Sequence, residues 1–154
     1  MGGMGMHKSA IWTLLALLAA VFPALAGVDS DRLNQAGMLG SWAVNCNAPP
    51  SKTNPYQLFA PSSSGAPTRT LQMDDPGLDG TLKVKDVRVI ASDRVGLSWT
   101  NRSGETIRMV VLKTGNRLKG FEAVNERSGK LQVKDGRFVS SGLETPWFTK
   151  CGTR

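Results

Sequence analysis

Histidine is all but missing from this chain of 154 residues: His7 is the only one. Ser-His and Cys-His nucleophile pairs, histidine general bases and the common zinc ligand sets all need an imidazole. Cysteine is nearly as scarce, with two copies and no C-x-x-C spacing, so neither a thiol oxidoreductase nor a zinc ribbon is supported. There is one tyrosine, and aromatic residues make up 6% of the chain. No apolar run approaches the roughly 20 residues that a membrane-spanning helix requires.

The longest apolar run, Ala10 to Phe22, is 13 residues, and it sits inside a leader. His7 and Lys8 form a cationic start, the apolar run follows, and Ala24-Leu25-Ala26 supplies a small-residue cleavage site, which predicts an export signal over residues 1–26. Pro23 breaks the run just before the site, so no permanent membrane anchor is expected. Cleavage before Gly27 would remove the only histidine. It would also place Cys46 and Cys151 in an oxidising compartment, periplasmic or secreted, where two cysteines pair as a disulfide.

The remaining residues, 27–154, suffice for one domain with a real core. A short helical lead-in is expected over 28–38, with Ser30 as N-cap and Gly37 as its stop. Strands are expected at 40–46, around 56–59, and at 69–73, 81–90, 94–100, 105–113, 117–125 and 131–139, the last with a turn inside it. Val95, Leu97 and Trp99 alternate with a period of two, as do Ile107, Met109 and Val111. In the strand that begins at Thr81 the phase runs through Leu82 and Val84, then slips to Val87 and Val89, which predicts a β-bulge around Lys85-Asp86.

Turn sequences such as Thr114-Gly115-Asn116 and Asp135-Gly136 separate the runs, and short turns join antiparallel neighbours. The fold class is therefore all-β: an antiparallel meander of about eight strands that removes its edges by closing as a small barrel or folding over as a sandwich. A bond between Cys46 and Cys151 would bring the first and last strands together, which favours closure.

Residues 47–68 are rich in proline and serine and read as a long loop. Tyr56 and Phe59 within it, with Trp99 from the meander, are the candidate ligand-binding residues. The positive charge is concentrated: residues 81–137 hold 13 Lys and Arg against 6 Asp and Glu. Lys83, Lys85, Arg88, Arg108, Arg117, Lys119, Lys130 and Lys134 interleave with apolar positions, as on the solvated face of a one-sided sheet that could also meet an anionic surface. Asp74, Asp75 and Asp79 crowd one turn, but their spacing is not that of a calcium loop. No aromatic-basic strand signature points to nucleic acid. No cofactor, metal site or catalytic residue is expected.

The opening Gly40-Ser41-Trp42, after a helical lead-in, resembles that of the lipocalin and wider calycin group. It is also similar to the opening of small periplasmic inhibitors of bacterial metalloproteases, which are eight-stranded barrels with a disulfide. The later lipocalin motif with its T-D-Y core is absent, and those inhibitors place their cysteines differently. The lipocalin resemblance implies that Trp42 plugs the closed end of a barrel beneath an arginine from the last strand, for which Arg137 is the candidate by order. The expected function is non-catalytic binding by a monomer, of a small apolar ligand or an envelope protein. Inhibition of an exported protease through the segment 27–39 is the alternative, and a hydrolase using carboxylates or a Ser-Lys pair is a third.

Overall fold

The computed structural model describes Met1 and residues 26–152. The predicted export signal falls almost wholly outside these residues. One helix, α1 (Ala26–Gln35), precedes ten strands: β1 (Gly40–Ala43), β2 (Tyr56–Pro61), β3 (Pro67–Gln72), β4 (Gly80–Ala91), β5 (Arg94–Thr100), β6 (Thr106–Thr114), β7 (Arg117–Asn125), β8 (Leu131–Lys134), β9 (Arg137–Phe138) and β10 (Phe148–Lys150). Strands β1 to β7 form the predicted meander, each antiparallel to the next. The ring closes through β10, which pairs with β7 on one side and β1 on the other. The protein is thus all-β, a closed eight-stranded antiparallel barrel with one short helix.

The strand that closes the ring is not the one the sequence suggested. The first half of β7 pairs with β10 (Leu118 with Phe148), whereas its second half pairs with β8 (Ala123 with Val133). The expected strand 131–139 folds back on itself at Asp135-Gly136, where both residues have positive φ (50° and 73°), and becomes the β8–β9 hairpin beside the ring. Strand β10 is only three residues, too short to announce itself by alternation. The seam it makes with β1 has two residue pairs, Trp42 with Lys150 and Ala43 with Thr149. Cys46, three residues after Ala43, and Cys151, the residue after Lys150, form the disulfide between the two segments, their Cα atoms 5.5 Å apart.

The expected long loop 47–68 is mostly a hairpin. Pro61 and Pro67 face each other as the final β2–β3 pair, a ladder position where a missing N–H is tolerated. The predicted bulge in β4 is present: the register with β5 shifts between Lys85 and Arg88, Asp86 has φ 51°, and the Ser98 hydroxyl donates to its carboxylate at 3.1 Å. The bulge turns both Val84 and Val87 into the core, while Val89 is exposed rather than continuing the inward series.

Helix α1 starts before the expected N-cap, and the Ser30 hydroxyl donates to Gly65 O in the β2–β3 turn at 2.6 Å. It stops at Gly37, with φ 65°; Met38 N donates to Leu33 O and Gly37 N to Asn34 O, a Schellman ending in which Leu33 and Met38 are both fully buried. Arg32 donates to Val87 O on β4, and Lys150 to Gly37 O. The helix and its exit therefore cover one end of the barrel, over a core that includes Trp42, Val84, Val87 and Val95. The opposite end is ringed by the β1–β2, β3–β4 and β5–β6 loops.

Candidate functional site

Eight strands enclose a space that side chains can just fill or that can hold one small ligand. Here one end of the interior is packed and the other is left open. Under α1 the interior is packed: Trp42 is fully buried, and its indole Nε1 donates to Met38 O at 2.7 Å. The cation over this ring is Lys150, directly across the seam, with Nζ 5.4 Å from the ring centre. Arg137 does not stand there. It is exposed on β9 and donates to Gly142 O at 3.1 Å, because the segment carrying it turns away before reaching β1.

Toward the loop-ringed end the packing leaves a cavity of about 220 Å³. Its floor is Leu97, Val111, Leu118 and Phe148, and Phe59, Leu71, Trp99 and Met109 form its walls. Pro55, Met73, Val133, Phe138 and Pro146 rim it. Gly120 also faces this space: a Cβ placed there would meet only Met109 Cε at 3.7 Å and Thr145 Cγ2 at 3.8 Å, so the missing side chain adds directly to the volume. Phe121, the next residue, takes no part in the lining and instead carries the Arg94 guanidinium 4.3 Å from its ring centre.

The polar lining consists of Gln57, Arg69 and Thr145. Thr145 Oγ1 is held by Gly120 O (2.6 Å) and Gly136 O (3.0 Å), so its hydroxyl proton is committed to backbone. Arg69, on β3 directly opposite Phe59, extends its guanidinium across Trp99 at 4.8 Å from the ring centre. Its Nε donates to Gln57 Oε1 at 2.8 Å. No Asp or Glu forms an ion pair with it among the described residues. Arg69 is half-buried by surface area, yet its charged group lies deep enough among apolar side chains that desolvation lowers its pKa to about 10. It also borders a second hollow of about 400 Å³, shared with Leu78, Leu82 and Arg102 under the β3–β4 loop.

Of the candidate ligand contacts, Phe59 and Trp99 meet in the cavity and Tyr56 does not. The Tyr56 hydroxyl reaches Cys46 O at 3.0 Å and Ala48 O at 2.8 Å, bracing the β1–β2 loop next to the disulfide. Asn54 completes that brace: its Oδ1 accepts from Asn45 N, and its Nδ2 donates to the carbonyls of Asn45, Ala48 and Pro49. Arg69 had no distinguishing mark in the sequence. Its alternation with Leu71 on β3 is the one signal that would have turned it inward.

The surrounding loops are locked by their own polar groups. Asp75 pairs with Lys52 at 3.1 Å and accepts from Gly77 N, contacts that lower its pKa, with the Lys52 hydrogen bond the largest cause. Arg102 donates to the carbonyls of Pro76, Gly77 and Asp79, pinning the β3–β4 loop over the rim. Glu105 takes hydrogen bonds from Asn101, Asn125 and Ser103, which together hold it below the usual carboxylate range. On the outer wall Lys83, Lys85, Arg88, Arg108, Lys130 and Lys134 are solvated. Lys119 is instead buried, 2.5 Å from Glu144 and stacked with Arg117 on Trp147.

Comparison with protein-family models, with curated proteins and with solved structures gives no match to this chain.

Proposed function

We propose that the protein is a non-catalytic binding protein of lipocalin-like shape that holds one small, largely apolar molecule inside the barrel. The observation that carries this is the cavity of about 220 Å³ between Phe59, Trp99 and Leu118, apolar on most sides and lined by three polar side chains. A core optimised only for stability would fill this space, because each unfilled methylene-sized void costs about 1 kcal/mol. Gly120 leaves it open.

Catalysis finds no support in this cavity. Arg69 is the single titratable group lining it, and Thr145 is bound to backbone carbonyls rather than to a base. Inhibition of an exported protease, the alternative, would have to use a segment that is helical over residues 26–35 and has Leu33 and Met38 buried against the barrel. The disulfide supports a site of action outside the reducing cytoplasm, periplasmic or secreted.

Titration of the purified protein with straight-chain alcohols and acids of six to ten carbons, by calorimetry and tryptophan emission, tests the proposal. Saturable one-to-one binding is expected, strengthening about fourfold per added methylene until the cavity is full. Gly120→Val should weaken it at least tenfold while leaving the circular dichroism spectrum unchanged. If none of these compounds binds, or if Gly120→Val binds them as wild type does, the interior is not a ligand site.

A further inference from the structure

We infer that the ligand is an anionic amphiphile, an aliphatic chain ending in a single carboxylate, whose head is taken by Arg69. This rests on the proposal that the cavity binds a ligand, and adds its chemical class.

Guanidinium carries five N–H donors in a rigid fork. At Arg69 one of them, on Nε, is used by Gln57, which fixes the plane of the group; Trp99 supports one face at 4.8 Å. The two terminal nitrogens, Nη1 and Nη2, donate to no described residue. Arg69 lines both the 220 Å³ cavity and the neighbouring 400 Å³ hollow. The protein supplies positive charge, donors and apolar walls, but no carboxylate.

Other cationic side chains are already committed. Arg102 is spent on three carbonyls of the β3–β4 loop, and Arg94 lies over Phe121, outside the cavity lining. Lys119 has Glu144. Arg69 alone combines an inward position, a pre-oriented fork and no anionic partner among the described residues. A neutral ligand would leave the charge without an ion. A carboxylate meets the fork side-on with two parallel hydrogen bonds, while its chain lies against Leu97, Val111 and Phe148.

The test compares octanoate, 1-octanol and octylamine by calorimetry at pH 7, on wild type and on Arg69→Met and Arg69→Lys. Octanoate is expected to bind wild type at least tenfold more tightly than octanol, and octylamine more weakly than either. Arg69→Met should lose the preference for the acid yet still bind octanol. Arg69→Lys, which keeps charge but not the fork, should retain a reduced preference and guards against misfolding of the methionine variant. Equal affinities of wild type for acid and alcohol, or an unchanged preference in both variants, would overturn the assignment and leave a plain apolar site. Failure of all three compounds to bind would remove the ligand cavity itself.

Discussion

An arginine directed into a small barrel is held there against its preference for water. Lowering the Arg69 pKa to about 10 from its ordinary value means the charged form is disfavoured by the fold. Between those two values the unfolded chain binds more protons than the folded one, so this group's contribution to stability rises with pH across that window; at neutral pH the cost is fully present. Replacing it with an apolar side chain of similar length should therefore stabilise the empty protein. Arg69→Met is expected to gain on the order of 1 to 2 kcal/mol in chemical denaturation, after allowing for its partial contact with solvent. A variant less stable than wild type by that method would mean that the guanidinium is structural, held for Gln57 and Trp99 and not for a ligand. Glu105 behaves with the opposite sign. Its lowered carboxyl pKa contributes stability that is present above the ordinary carboxylate range and is lost as pH falls through the folded-state value. Glu105→Gln should flatten the acid limb of a stability-against-pH curve, and an unchanged limb would show that the Asn101, Ser103 and Asn125 contacts carry no such linkage.

Among the elements, those with a repeating signal were legible and the three-residue closing strand was not. Strands β4 to β7 follow the alternation of Val, Leu, Ile and Trp, and the β4 bulge follows from the phase slip before Val87. Strand β10 has a single buried residue, Phe148, and its membership of the ring comes from partners far away in sequence. That one gap explains two misplacements at once: the closing strand was sought in 131–139, and the cation over Trp42 was sought in Arg137 rather than Lys150. The inner surface was half legible. Trp99 follows from apolar periodicity and Phe59 from its aromatic character within the expected loop, whereas Arg69 could be found only once β3 had a register with β2. The helix was visible chiefly through its stop. Gly37 takes φ 65°, and an added Cβ would meet Lys113 at 3.4 Å, so Gly37→Ala should destabilise the protein by about 1 to 2 kcal/mol through backbone strain. A midpoint unchanged in urea would mean that the Schellman ending and the cap over Leu33 and Met38 are dispensable for the barrel.

For the whole molecule, closure depends on the two short seams that β10 makes. Neighbouring ring strands such as β5 and β6 share seven residue pairs, but β10 shares two with β7 and two with β1, the latter extended by the bond from Cys151 N to Ser41 O at 2.8 Å. Such a seam would fray in a free chain, and the Cys46–Cys151 bridge, spanning 105 positions, ties together the two segments that form it. Loop-closure entropy gives a bridge of that span up to roughly 4.7 kcal/mol, of which roughly 2 to 4 kcal/mol is usually realised. For a domain of this size that corresponds to a fall of about 10 °C in Tm when Cys46→Ser and Cys151→Ser are combined. The bridge also bears on function, because Phe148 on β10 forms part of the cavity floor and Leu118, its partner across the next seam, forms another part. Loss of the bridge should therefore weaken octanoate binding by more than the loss of global stability accounts for at 25 °C, where both forms remain folded. Titration of oxidised and reduced protein at that temperature separates the two effects. Equal affinity with a lowered Tm would confine the disulfide to stability, and an unchanged Tm would show that the two-pair seam holds the barrel closed without it.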